Sequence, residues 1–424
     1  MIHPKMQYTY VGIDSHKDTH TAVFLDCFFE KLGVLSFDNL PSAFGGFLEK
    51  AQQYRIDGTT LLFGLEDTSS YGRTLTIFLK ANGMHVKHVN GLLVSRERKN
   101  RNITEKTDFV DAECAARILL SKFGELPDAQ PNDRLWILRS LVVRRSFLVR
   151  QTAAAKHYLH SLLTQHYPNY RSFFSHVDGK ASLAFFMKYP SPGTLRDTSL
   201  EELTALLKEA SGFSSFASTK AKEILDTLQY IASFQDTDSE FQGVRDEIVQ
   251  STIKQILYNK DEIERLETSM AAFLSGFNCT LTSMVGIDTV TAAKLLSCIG
   301  DIKSFPTPAK LARYAGIAPV TYASGKKDLQ FANQRGNREL NNVFYRIAMV
   351  LIATPSARKK VLNPIFYDYY HRKISEGKTK NQALKCVQRR LVNIVWSMLT
   401  YGEDYVNPPM FDLVEDGSND PGEA

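Results

Sequence analysis

The sequence predicts an α/β domain followed by an all-α remainder. Three observations carry that expectation. Short β-prone runs alternate with helical patterns over residues 1–130. Two long stretches, residues 133–166 and 249–277, then repeat apolar side chains at three- and four-residue steps. The last third is helical, basic and aromatic up to an acidic tail.

Taken in order, residues 8–13 and 19–25 read as strands joined by a short polar turn, and residues 33–37 as a third strand. Ser42 is placed to cap a helix whose Phe44, Phe47, Leu48 and Ala51 recur at i, i+3, i+4 and i+7. Residues 60–65 (TLLFGL) read as a buried strand, 71–81 as a helix and 84–89 as a strand. A basic polar loop is expected over 95–106, then a helix from about 108 to 123. The order β-β-β-α-β-α-β-α suits a mixed sheet with helices packed on it, which is the order of a ribonuclease-H-like fold.

The run Leu138, Leu141, Leu148, Thr152, Ala155, Leu159 and Leu162 steps by three and four, with Arg145 in one core slot. The run Val249, Ile256, Ile263, Leu266, Met270, Phe273 and Phe277 fits a heptad with Asn259 at the seam. Both patterns suit two core helices inside one domain, and equally a coiled-coil arm that joins subunits. Residues 167–240 read as helical and carry no evident chemistry. Residues 284–300 (MVGIDTVTAAKLLSCIG) suggest a helix–hairpin–helix, whose helix N-terminus can meet phosphate, or an ordinary helical hairpin. A Gly/Lys loop and a helix from about Asn337 follow. The expected divisions are 1–130, 131–277, 278–402 and a disordered tail, 403–424.

Charge is uneven. The net charge is +5, but seven acids and no Lys or Arg follow residue 402, so the preceding chain sets 51 basic against 39 acidic side chains, +12. A basic body suits a polyanion, because Lys and Arg displace counterions from phosphates. The five cysteines are widely spaced without a CxxC pair, which excludes a zinc ribbon and a disulfide framework and fits a reducing cytoplasm. No signal-peptide core opens the sequence, and the greasiest stretch, residues 343–353, is interrupted by Arg346. A soluble protein without membrane partners is expected.

Four acids stand at element ends. Asp14 ends the first strand, Glu66 ends a later one, and Asp108 and Asp111 open a helix three residues apart and so share a side. Gathered at one sheet edge they would repel one another; oxygen-only ligands resolve this with Mg2+ or Mn2+, and two such ions about 4 Å apart can promote phosphoryl transfer. Each acid alone reads equally as a turn, cap or surface residue. A second constellation is Ser324-Gly325-Lys326-Lys327 with Arg335-Gly336-Asn337-Arg338, a Ser-Gly turn surrounded by four cations able to hold a scissile phosphate. A third spans residues 357–391. There Arg358, Lys359, Lys360, Arg372, Lys373, Lys378, Lys380, Lys385, Arg389 and Arg390 face only Asp368 and Glu376, interleaved with Phe366, Tyr367, Tyr369, Tyr370 and His371. Cations with stacking surfaces suit nucleic acid, single strands and RNA included. His16-Lys-Asp-Thr-His20 imitates a zincin motif, but it lacks the Glu and the helix. Gly377-Lys378-Thr379 imitates a P-loop end, but Arg372 stands where the first Gly belongs.

These motifs resemble the IS-one-ten (IS110) family of insertion-sequence transposases over nearly the whole chain to about Thr400. VGIDSHKDTHTA, the Glu of LLFGLED, and KTDFVDAE are similar to the family's DEDD domain, which is RuvC-like; MVGIDTVTAAKLLSCIGDIKSFPTPAKLARYAGIAP, ASGKK and RGNRELNNVFYRIA are similar to its transposase domain. The resemblance implies that Asp14, Glu66, Asp108 and Asp111 bind metal and that Ser324 attacks DNA to form a phosphoserine link. It implies homo-oligomers, dimeric or tetrameric, with acids and serine supplied by different subunits. It also implies donor and target DNA as partners and a noncoding bridge RNA that supplies sequence specificity by pairing. Many relatives carry two serines before the glycine; here Ala323 takes the first place. Two other readings stay open: a RuvC-like structure-specific endonuclease that uses water, and a non-enzymatic nucleic-acid-binding scaffold. A cytoplasmic, nucleoid-associated protein is expected.

Overall fold

A computed structural model describes residues 3–66, 70–129, 131, 133–167, 169–231, 240–277, 279–324, 327–331, 333, 336–353 and 361–408. The chain divides into two units, Met1–Ile137 and Leu138–Ala424.

The first unit is built on a five-stranded mixed sheet of order β3-β2-β1-β4-β5. Its strands are β1 (Tyr8–Ser15), β2 (Thr19–Leu25), β3 (Lys31–Asp38), β4 (Thr60–Leu65) and β5 (His85–His88). β1, β2 and β3 form an antiparallel meander, while β1, β4 and β5 run parallel. The central strand is buried on both faces, so its alternate residues serve two cores. Val11 and Ile13 pack with Phe63 and Leu65 against Phe44 and Phe47 of α1 (Pro41–Gln53) and Leu75 and Leu79 of α2 (Arg73–Ala81). Tyr10 and Leu62 face the other way, toward Val94 of α3 (Gly91–Asn100) and Ala112, Ala115, Ala116 and Leu119 of α4 (Asp108–Ser121).

Gly12 sets how closely α4 can lie on the sheet. A Cβ there would meet Ala112 O and Ala116 N at 2.2 Å, inside any allowed contact. Glycine on the strand and alanines on the helix therefore bring the first turn of α4 down over the end of β1.

The expected mixed sheet and helices are present, with two local corrections. Residues 95–100, expected in a loop, belong to α3, which Asn90 caps by accepting from Leu92 N. Ser42 does not cap α1; Leu40 holds the N-cap position without a side-chain bond, and Pro41 supplies the preset φ of the first turn.

Among the described residues, the second unit is helical except for one hairpin. α5 (Asp133–His166) and α10 (Gln242–Ser275) are its long helices. Between them lie α6 (Tyr170–Phe173), α7 (Lys180–Lys188), α8 (Leu200–Ser211) and α9 (Ser214–Ile231), packed around Tyr167, Phe173, Phe185 and Phe186. After them come α11 (Thr289–Ile299), α12 (Pro308–Tyr314), β6 (Val320–Ser324), β7 (Lys327–Phe331), α13 (Arg338–Ile352), α14 (Pro364–Ser375) and α15 (Lys380–Tyr401). α5 and α10 run antiparallel. Leu138 and Val142 share one core with Met270 and Leu274, and Leu159 and Leu163 share another with Val249 and Ile253. Arg145, in the core slot of the heptad, pairs with Glu267 at 2.6 Å. Of the residues in the two runs, Leu138, Leu159, Val249, Ile256 and Met270 are buried in cores within the chain.

The Gly-centred turn is present at Gly286 (φ +89), followed by α11; before it lies only the 3-10 turn Leu281–Ser283. The carboxylate of Asp288 accepts from Thr291 N and so fills the α11 N-terminus itself. Where a Gly/Lys loop is expected after Pro319, Val320–Ser324 and Lys327–Phe331 pair as strands, with Ser324 opposite Lys327. Among the described residues no helix is long and apolar enough to cross a membrane.

Candidate active site

β1 and β4 are parallel neighbours in a register that pairs Ile13 with Leu65. The next residues along, Asp14 near the end of β1 and Glu66 just past β4, therefore lie at the same end of adjacent strands. Alternation puts both on the face that carries α4. Asp14 is 8% exposed. The Glu66 carboxylate rests against Gly91, where a Cβ would fall 2.1 Å from Oε1, so it lies at the start of α3 where the helix dipole favours an anion.

α4 supplies the other two acids. Thr107 caps it by accepting from Val110 N, which fixes Asp108 and Asp111 in its first turn. His16, on the β1–β2 turn, bridges Asp14 and Asp108: its Nε2 lies 3.1 Å from Asp14 Oδ2 and 3.0 Å from Asp108 Oδ1. Asp111 is buried and pairs with the guanidinium of Arg98 from α3. Burial pushes the Asp14 carboxyl above its ordinary value; His16 pulls it down, and Asp111 and Asp108 push it further up. A buried acid facing two more acids is short of positive charge, which a cation would supply. The atoms of Asp14, His16 and Asp108 all lie within 4.8 Å of one another, a donor set that fits one divalent ion.

Two members of this site escaped the sequence. His16 sits in the rejected HKDTH string, and Arg98 falls in the expected loop. Position two after a strand-end Asp was a weak signal for His16; for Arg98 there was none.

Ser324 is the last residue of β6 in the second unit. The expected cations Lys326, Arg335, Arg358, Lys359 and Lys360 lie outside the described residues, and of Lys327 only the backbone is described. Arg338 opens α13 and, with Lys378, Lys385, Arg389 and Arg390, lines a groove of about 1170 Å³ that no Asp or Glu lines among the described residues. Asn341, Asn342, Asn381 and Asn393 add amides to its wall. Two glycines of the wall, Gly316 (φ +68) and Gly336, touch so closely that a Cβ on Gly336 would lie 2.2 Å from Gly316 Cα. Tyr369 sits among Arg390, Arg372 and Lys373, at 5.0, 5.3 and 5.5 Å from its ring centre. Arg372 and Lys373 are turned to Glu376 and do not line the groove.

A strand order of 3-2-1-4-5, with β1 antiparallel to β2 and parallel to β4, is that of a ribonuclease-H-like sheet, and it sets Asp14 and Glu66 at the same end of β1 and β4. Comparison with known proteins narrows this. Residues 11–168 match the IS110 DEDD transposase model, described as "Transposase", and residues 278–367 match "Transposase IS116/IS110/IS902 family". The chain belongs to the IS110 family of transposases. It is 26% identical to the "Insertion element IS116 uncharacterized 44.8 kDa protein" of Streptomyces clavuligerus over 92% of this chain and 94% of that one. It is 27% identical to the "Insertion element IS110 uncharacterized 43.6 kDa protein" of Streptomyces coelicolor, over 87% and 85% of the two chains. It is also 24% identical to the "Pilin gene-inverting protein" of Moraxella bovis, over 93% and 96%.

Proposed function

We propose that this protein cuts and rejoins DNA to move an insertion sequence, using Mg2+ or Mn2+ held by Asp14, Glu66, Asp108 and Asp111 and a nucleophilic serine, Ser324. The observation that supports the reading is the β1–β4 register, which sets Asp14 and Glu66 at the same end of neighbouring strands, with Asp108 and Asp111 in the first turn of α4. A bound divalent cation neutralises the gathered carboxylates and polarises phosphate oxygens. Ser324 Oγ forms a bond to the scissile phosphorus as the bond to the leaving DNA oxygen breaks; the serine proton is released and the leaving oxygen is protonated. The groove lined by Arg338, Arg389 and Arg390 holds the sugar-phosphate backbone. A noncoding guide RNA supplies target choice by pairing, and the protein acts in the cytoplasm at the nucleoid. Assembly into homo-oligomers is supported by apolar side chains left exposed on α5 and α10, among them Val143, Phe147, Leu257 and Tyr258.

The test is trapping of the covalent protein–DNA adduct with Mg2+ present. Wild type yields the adduct, while Ser324→Ala and Asp14→Asn yield none. An adduct that persists in Ser324→Ala overturns the serine assignment, and cleaved DNA carrying no protein points instead to hydrolysis by water.

A further inference from the structure

We propose that His16 is a nitrogen ligand of the metal, sharing one ion with Asp14 and Asp108 beside the remaining acids of the quartet. The inference rests on the metal-dependent reading above and adds to it the kind of donor and the preferred ion.

The three ligand atoms all lie within 4.8 Å of one another, and His16 Nε2 is hydrogen-bonded to the Asp14 carboxylate where an ion could replace its proton. Cis ligands about 2.1 Å from an octahedral ion lie about 3.0 Å apart, the ion–ligand distance multiplied by the square root of two. His16 Nε2 stands 3.1 Å from Asp14 Oδ2 and 3.0 Å from Asp108 Oδ1.

The turn is built to present that ring. His16 N donates to Thr19 O at 3.0 Å. The side-chain amide of Asn39 donates to His16 O at 3.2 Å, to Lys17 O at 3.1 Å and to Tyr71 O at 3.2 Å, tying the turn to the loop before α2. A site needs such support to hold a ligand in place. Packing does not account for the ring, because the His16 side chain is half exposed. The neighbouring His20 of the same string is the core histidine, fully buried beside Phe37 and Phe44. Nor are the other two acids equally placed: Asp111 is engaged by Arg98, and Glu66 lies against Gly91. An imidazole in an oxygen shell shifts preference from Mg2+ toward Mn2+ and later metals.

The experiment is Mn2+ binding to the full chain, read by calorimetry and by pulsed electron paramagnetic resonance for nitrogen coupling. Wild type is expected to show a histidine nitrogen coupling that changes isotope pattern with 15N-histidine. His16→Gln is expected to lose the coupling and to weaken Mn2+ binding tenfold or more, since even an outer-shell change costs about ten- to a hundredfold. His16→Asp is expected to recover affinity without the coupling. Circular dichroism melts confirm that these variants stay folded. Mn2+ that binds without nitrogen coupling, yet is lost in Asp14→Asn, overturns the His16 ligand and leaves the acid site standing. A coupling that persists in His16→Gln also overturns it. Mn2+ binding indifferent to Asp14→Asn overturns both readings.

Discussion

Gly12→Ala isolates the contact that brings α4 onto the sheet. The new methyl carbon would stand 2.2 Å from both Ala112 O and Ala116 N. Ordinary carbon contacts begin near 3.5 Å, so α4 must retreat by about 1 Å. Overpacking costs about 1–3 kcal/mol, and here the obstacle is backbone rather than a movable side chain, which places the cost near the upper limit. At about 4 °C per kcal/mol for a unit of this size, the first unit should melt about 10 °C lower. The retreat also draws Asp108 away from Asp14 and His16, so Mn2+ affinity should fall. Gly46→Ala is the control: its Cβ would meet nothing within 4 Å on an exposed face of α1, and alanine should hold or raise stability there. The assay is paired thermal denaturation with Mn2+ titration. A Gly12→Ala melt within 2 °C of wild type (against the ~10 °C worked above) with unchanged Mn2+ affinity refutes the packing argument.

Two further outcomes follow from charge. Arg98→Met removes the buried partner of Asp111 and should cost about 3 kcal/mol without metal, because a carboxylate is left uncompensated in the interior. Saturating Mn2+ should narrow that gap in paired melts, and equal metal-free melts would count against the pairing. Asp178 is penalised by burial, but Lys156 at 2.9 Å and Lys260 at 3.1 Å outweigh it and hold the carboxyl below its ordinary value. A depressed folded value contributes stability that is fully present above the unfolded value and lost as pH falls through the folded one. The melting difference between wild type and Asp178→Asn should therefore be constant near neutrality and shrink below about pH 4. A difference that grows with acid would reverse the sign of the argument.

The sheet was legible because its information is local. β1, β2 and β4 are apolar, short and bounded by polar turns, and strand-end acids follow from that pattern directly. α3 was not, because it buries only Val94 and so has no apolar period to read. Beyond the local cap by Asn90, what holds it is tertiary: Arg98 on Asp111 and, just past its end, Arg101 on Glu113 at 2.8 Å. His16 gains its meaning from Asp108, far along the chain, and no pattern within a turn can announce that partner. The long helices were visible as heptads, but periodicity is blind to whether the facing helix belongs to the same chain; the shared cores of Leu138 with Leu274 and Leu159 with Val249 decide it for the buried positions. Likewise the basic segment showed its charge, but not that Arg338 of α13 joins Arg389 and Arg390 of α15 in one groove while Arg372 and Lys373 turn to Glu376.

The α5–α10 pair acts as a shared ruler. Each helix has 34 residues, about 50 Å at 1.5 Å per residue, and a separate apolar core forms at either end. Growth or loss in one rod alone would turn every side chain beyond it by about 100° per residue and slide the distant core out of step. Only matched changes in both rods keep the two ends in phase. The interval between these cores is thus a dimension that mutation can alter only in coordinated steps, while the loops beyond them are free to vary one residue at a time.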